Sequence, residues 1–497
     1  MTSAATAARP APSGPARASG YFTLFMTDSW ERFGFYALQA ILVLFAVAPL
    51  ERGGLGLPVG DATAMFGAWM GLTFMLALPG GWVGDRVLGL RRAILAGGVI
   101  IALGHFSLAL PTVWTVPLGL VLLSVGTGLF KPNHQAMLNT VLGGDAGRRE
   151  SGISLMYVGI QISALVAPLI SGFLGERVNW RLGFAVAGLA MAIGVVQFAT
   201  ARPRFNGLAD RPGRPLAAAD RRRALRQTSA TMGVLTAVVV VAALTGVLTP
   251  TTAIISIGML SLIVPVIAFI ALHRHPALTG EDRGRLRSFL WVFLGSALFW
   301  MLVGQGGSVL NLFARDQTNR DVGGFLVPAS WLQSATPLFI LLLAPVLAWL
   351  LPRAGMLVGL PGKFAVGLLM AGASFLLMAV AAILAADGRL VSPGWLMVVY
   401  LMHACGELIV AAVGISAAAD VLPPAFIAHT LGLLWLFAAL GGGLGSQVVR
   451  LAEVMPLPAY FGVLGAVSTI AGLAFMARRR SIGNRLAPRT AQFEAAH

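Results

Sequence analysis

Asp28, Glu31 and Arg32 lie inside an apolar run that extends from Phe22 to Val47. At helical spacing, positions 28, 31, 32, 35 and 39 fall on one face. A charged group at mid-bilayer depth costs about 2.5–3.5 kcal/mol on insertion scales. That face therefore requires a polar interior with partners elsewhere in the chain. Lys131, beside Pro132 in another apolar run, faces the same cost, and its natural partner is Glu31 or Asp28. The alternative is a lysine that snorkels to the nearby loop. Arg32 presents a planar fork of donors suited to a carboxylate, or else forms a structural pair with Asp28 four residues earlier. Glu407 is the only acid inside the apolar runs of the second half. Asp28, Glu31 and Glu407 against Arg32 and Lys131 leave a set one proton short of neutrality. Desolvation favours the protonated set, and a zwitterion adds no net charge, so proton and zwitterion can bind together. Losing the proton would then weaken the hold on the zwitterion. His403 stands one turn before Glu407, placed either to relay a proton or to fill a packing site; His134 and His105 read as packing residues.

The elements that must position these groups are membrane helices. Of 497 residues, 57% are hydrophobic and 11% charged, with mean hydropathy +0.83. A soluble chain carries about 25% charged residues. Runs long enough to cross a bilayer are expected at 22–48, 61–83, 93–112, 114–139, 151–176, 180–201, 229–248, 252–273, 288–314, 328–351, 362–386, 393–418, 425–449 and 457–477. This is an all-α polytopic membrane protein with spans grouped six, two and six. The expected division is a disordered cytoplasmic tail (1–20), a six-helix bundle (21–201), a basic loop (202–228), an inserted helix pair (229–273), a loop (274–287), a second six-helix bundle (288–477) and a tail (478–497). Residues 1–48 are too long and too charged for a signal peptide and are read as a retained helix.

The net charge of +16 does not imply nucleic acid, because the arginines sit in short loops between apolar runs. With the amino terminus inside, 26 Lys and Arg face the cytoplasm and 7 face the opposite side. That bias places both termini in the cytoplasm. Two halves joined by a basic loop suggest a repeat architecture with a site near mid-membrane. The single cysteine, Cys405, excludes an intramolecular disulfide and a Cys-rich metal site.

Motifs narrow the reading. Gly80 to Arg92, GGWVGDRVLGLRR, resembles the signature loop between the second and third helices of the major facilitator superfamily. That resemblance implies a cytoplasmic latch formed by Asp85 and Arg86; the alternative is an ordinary basic loop. DSWERFGFY (Asp28–Tyr36) resembles the ExxERFxYY motif of the proton-dependent oligopeptide transporter family, and GTGLFKPNHQAML from Gly126 resembles that family's fourth-helix segment. Further echoes run in order through Met156–Glu176, Phe299–Thr318, Val327–Ile340 and Tyr400–Ser416. They cover nearly the whole chain outside the tails and the inserted pair.

The resemblance implies a major facilitator fold and a proton-coupled symporter that imports di- and tripeptides by alternating access. It needs no cofactor beyond the proton and no nucleic-acid partner, and works as a monomer in the bacterial inner membrane among its lipids. It implies proton coupling by Asp28, Glu31, Arg32, Lys131 and Glu407. Substrate contacts are implied for Arg32, Tyr36, Gln39, Lys131, Tyr157, Gln161, Gln305, Ala335, His403, Glu407 and Trp435. The peptide carboxylate would lie near Arg32 and Lys131, and the amino group near Glu407.

The cavity positions depart from the family pattern while the loop motifs do not. Asp28 replaces Glu, Phe35 replaces the first Tyr, and Gln39 stands where a cavity arginine is usual. Gln161 and Ala335 replace asparagines, Gly304 replaces the glutamate before Gln305, and Ala411 replaces a serine. These changes imply an altered substrate, either a narrower set of peptides or a peptide-like small molecule. The competing transport reading is a carrier or exporter of a non-peptide solute with weakened or absent proton coupling. Catalysis lacks candidates: there is no HExxH, no phosphate-cradling loop and no serine elbow.

Overall fold

The computed structural model describes residues 15–486, apart from 113–114, 144, 206, 209, 214, 216–219, 221, 224–225, 227–229, 231–232, 235–236, 239–240, 243, 248 and 424–425. Helices dominate: α1 (Pro15–Val47), α2 (Val59–Met75), α3 (Ala77–Val83), α4 (Leu90–Ala109), α5 (Thr115–Leu142), α6 (Ala146–Gly172) and α7 (Trp180–Thr200). After the basic segment come α8 (Pro250–His273), α9 (Gly280–Val303), α10 (Val309–Asp316), α11 (Ala335–Leu384), α12 (Gly394–Asp420), α13 (Ile427–Val448), α14 (Leu451–Val454), α15 (Leu457–Ala477) and α16 (Arg479–Leu486). Among the described residues, eleven helices are long and apolar enough to cross a membrane, and shorter apolar helices cover 262–273 and 429–445. Nine of the twenty residues of the expected span at 229–248 fall outside the described residues.

The boundary at the amino-terminal tail differs from expectation. Within the described residues, the first helix already includes 15–20, which the sequence assigns to a disordered tail. The extra turns are held in place: Tyr21 donates to the Gly152 carbonyl at 2.8 Å. The spans expected at 328–351 and 362–386 are both present, as Ala329–Leu350 and Pro361–Leu384; within α11 they are separated by a kink at Gly359, whose non-helical φ of +61° only glycine adopts readily.

The chain forms two compact units. One contains Met1–Tyr36, Leu76–Ser163 and Phe184–Leu248; the other contains Ala37–Met75, Ala164–Gly183 and Thr249–His497. In the first unit, α3 and α5 cross at glycines. A side chain at Gly80 would run into the Gly128 backbone. Pro132 also leaves the Gly128 carbonyl without its usual helical donor.

The second unit is tied together at the membrane face where α1 ends. Glu176 accepts hydrogen bonds from the backbone N–H groups of Ala329 and Ser330, both at 2.9 Å, and from the Ser330 hydroxyl at 2.5 Å. A carboxylate at the start of the Ala329–Ser334 turn satisfies amides that have no partner within it. Trp331 Nε1 donates to the Leu169 carbonyl and the Ser334 hydroxyl to the Leu165 carbonyl. Asp61 meets Arg450 at 3.4 Å, and Glu453 accepts from the Gly60 amide.

Gly80→Ala is expected to destabilise the protein by about 1–3 kcal/mol, the usual cost of overpacking. Gly306→Ala, which meets nothing within 4 Å, serves as the control. Melting temperatures of the detergent-solubilised proteins check this; equal melting of both variants would contradict the close crossing.

Candidate functional site

The polar face of α1 is paired within the first unit. Asp28 and Glu31 are almost wholly buried. Lys131 Nζ on α5 donates to Asp28 Oδ1 at 2.7 Å and stands 3.8 Å from Glu31 Oε2. Glu31 is instead gripped by its neighbour: Arg32 Nε and Nη2 donate to its two carboxylate oxygens at 2.6 and 2.7 Å. Such a bidentate fork fixes both groups. The Arg32 guanidinium lies 4.5 Å over the Phe35 ring, and Phe35 meets Tyr36 edge-on at 5.5 Å. Phe35, where the family motif has its first tyrosine, thus supports the arginine through its face.

Of the two partners open to Lys131, Asp28 is the direct one. Arg32 pairs with Glu31 rather than with Asp28. Two carboxylates and two cations balance, so this cluster is neutral when fully ionised. Each carboxylate holds one cation, so protonating either one loosens the cation it holds.

The same helix that presents Lys131 also anchors the loop. Asn133 Nδ2 donates to the Gly80 carbonyl at 2.9 Å and to the Leu129 carbonyl at 2.7 Å. Gly84 packs directly on the Asn133 amide. Asp85 and Arg86 face each other at 3.7 Å, both partly exposed, a geometry that contributes little by itself. Nearby, Asp210 lies 3.9 Å from Arg91 and 3.6 Å from Arg202, and Arg91 donates to the Ala199 carbonyl. Neither Asn133 nor the Asp210 cluster stands out in the sequence; the KPN spacing is the one signal for Asn133.

Tyr157 is half-buried and Gln161 buried, both in the first unit. The remaining candidates belong to the second. Gln39 is half-buried and packs against Gly307. Gln305 is buried and engaged, accepting from the Tyr460 hydroxyl at 2.7 Å and donating to the Met301 carbonyl at 3.2 Å. Ala335 is buried at the start of α11, and Trp435 is 46% exposed. His403 is buried, with Nε2 3.0 Å from Ser374 Oγ, whose own hydrogen goes to the Ala371 carbonyl. The serine oxygen therefore accepts, and the histidine carries its hydrogen on Nε2. That places His403 in a satisfied packing site. Glu407 is half-buried, and no donor to its carboxylate occurs among the described residues. Nor do they contain a group of three His, Cys, Asp or Glu placed to hold a metal.

Residues 91–464 match the sequence profile described as the POT family. The chain belongs to the POT family. Among its relatives, an uncharacterized transporter, YclF, from Bacillus subtilis is 35% identical, covering 91% of this chain and 92% of its own. The peptide transporter YePEPT of Yersinia enterocolitica is also 35% identical, covering 88% and 89%. A crystal structure of a peptide transporter POT in complex with sulfate superposes with a TM-score of 0.89 at 36% identity, covering 94% of this chain and 95% of that one. The fold is thus the all-helical one of the POT transporters, of major facilitator type, as the motifs imply, and the chain is a bacterial membrane protein.

The Asp28–Lys131 contact is open to a double-mutant cycle. Asp28→Asn and Lys131→Met should each lower thermal stability, and the double variant should recover part of the loss. A coupling energy of about 0.5–3 kcal/mol is expected; strict additivity would contradict a direct pair.

Proposed function

We propose that this chain is a proton-coupled symporter that imports di- and tripeptides, or closely peptide-like zwitterions, by alternating access. The observation that carries the reading is that each cation of the α1–α5 cluster is held by its own carboxylate: Lys131 by Asp28, Arg32 by Glu31. A proton arriving on either carboxylate frees a cation for the substrate's carboxylate. Loss of the proton restores the internal pair and expels the substrate. Glu407, with no internal donor among the described residues, is assigned the substrate's ammonium group. Gln39 in place of a third cation, together with Gly304 and Ala335, favours a small zwitterion with modest demands at its acidic end and room for a bulky side chain.

The six-helix halves 21–201 and 288–477, the inserted pair and the cytoplasmic termini remain part of this proposal, as do the bacterial inner membrane and a monomer that needs no cofactor beyond the proton. With that orientation, the contacts of Glu176, Asp61 and Glu453 close the outer end. Asp85 and Arg86 are assigned to the cytoplasmic latch, steadied by Asn133. No catalytic step is assigned.

Uptake of radiolabelled dipeptide into proteoliposomes tests the reading. One coupled proton under an inward gradient of one pH unit supports about tenfold accumulation, equivalent to 1.36 kcal/mol. The wild type should accumulate to that order. Glu31→Gln should reach only equilibration while counterflow exchange persists. Uphill uptake unchanged in Glu31→Gln would defeat the coupling scheme. Peptide uptake indifferent to the gradient in the wild type would favour an uncoupled carrier.

A further inference from the structure

His134 has been read so far as a packing residue, and it is almost wholly buried. Its ring stacks on Phe130 at 5.3 Å. Its Nε2 lies 3.0 Å from the Leu24 carbonyl oxygen. A carbonyl only accepts, so Nε2 carries a hydrogen. A neutral imidazole has no second hydrogen, so Nδ1 then presents a lone pair. That lone pair faces Asp28 Oδ1 at 3.6 Å, too long for a formed hydrogen bond and close for two atoms that both accept. Lys131 Nζ donates to the same Asp28 oxygen. The charged groups around the imidazole are thus Asp28 and Glu31 from α1 and Lys131 one turn earlier on its own helix, Arg32 being held by Glu31.

We propose that His134 and Asp28 share a proton that governs Lys131, which makes the imidazole a second proton-carrying group of the α1–α5 cluster beside Glu31, whose own proton governs Arg32. This rests on the transport reading above and deepens it. A proton entering the gap bonds to Nδ1 and is donated to Asp28 Oδ1, or sits on the carboxyl and is donated to Nδ1; either way an unbonded approach of two acceptors becomes one hydrogen bond. The cluster moves from neutral to one positive charge. Lys131 loses its share of the Asp28 oxygen, and its ammonium becomes available to an incoming carboxylate. When the proton leaves, Asp28 takes Lys131 back. The arrangement needs the Leu24 carbonyl: without it the ring could adopt the other tautomer and donate to Asp28 permanently.

The test is made on the full-length protein in nanodiscs, with ¹⁵N-labelled histidine and with the His134 signals assigned by their loss in His134→Phe. Between about pH 5 and 8, the Nδ1 resonance should shift in the wild type and stay fixed in Asp28→Asn, whose amide donates to Nδ1 throughout. An Nδ1 resonance that does not respond to pH in the wild type overturns the proposal, whatever the substrate proves to be. In proteoliposomes, His134→Asn supplies a permanent donor to Asp28 and should flatten the pH profile of peptide uptake. A profile that keeps the wild-type shape in that variant also overturns it. Failure of the wild type to accumulate peptide would instead remove the transport reading, and the resonance measurement would still decide the shared proton.

Discussion

The structure depends on a constraint of membranes: ions withdrawn from water into an apolar interior must find counter-ions or lose their charge. Asp28, Glu31, Arg32 and Lys131 meet it by pairing two against two, the short Asp28–Lys131 contact joining α1 to α5 and the Arg32 fork closing on Glu31. A neutral cluster of this kind is stable and yet sensitive. Each cation has one principal partner, so a single proton alters which groups are satisfied. In a low-dielectric interior that rearrangement is worth far more than it would be at the surface.

The surrounding packing keeps the cluster in register. Pro132 interrupts the hydrogen-bond ladder of α5 where Gly80 and Gly128 bring α3 against it. One residue further, Asn133 grips the Gly80 carbonyl and fills the space over Gly84. Lys131 and Asn133 are two residues apart, so a shift of α5 that moves the ammonium also moves the anchor of the 84–88 turn. In the second unit, Glu176 performs a comparable service with opposite polarity, its carboxylate gathering the free amides at the start of the Ala329–Ser334 turn.

The sequence disclosed the parts of this design that are costly in lipid. Three charges on one face of an apolar run, and a lone lysine beside a proline, stand out because nothing in a bilayer tolerates them unpaired. Most of the described spans were legible to within a few residues for the same reason, though α9 starts at Gly280, eight residues before the expected span. What stayed hidden depends on contacts between distant segments. Lys131 had two acids one turn apart to choose from, and only the relative height of α1 and α5 selects Asp28. His403 and Gln305 gain partners in Ser374 and Tyr460, residues that no spacing connects to them. The meaning of His134 rests on the direction of one carbonyl, that of Leu24, which no residue type encodes.

The central claim is that proton and zwitterion move together through this cluster. The most direct measurement loads proteoliposomes with a pH-sensitive dye and adds a neutral zwitterionic dipeptide outside, with no gradient imposed. The account predicts acidification of the lumen that follows peptide entry in time and in amount. Peptide entry with the internal pH unchanged would contradict it.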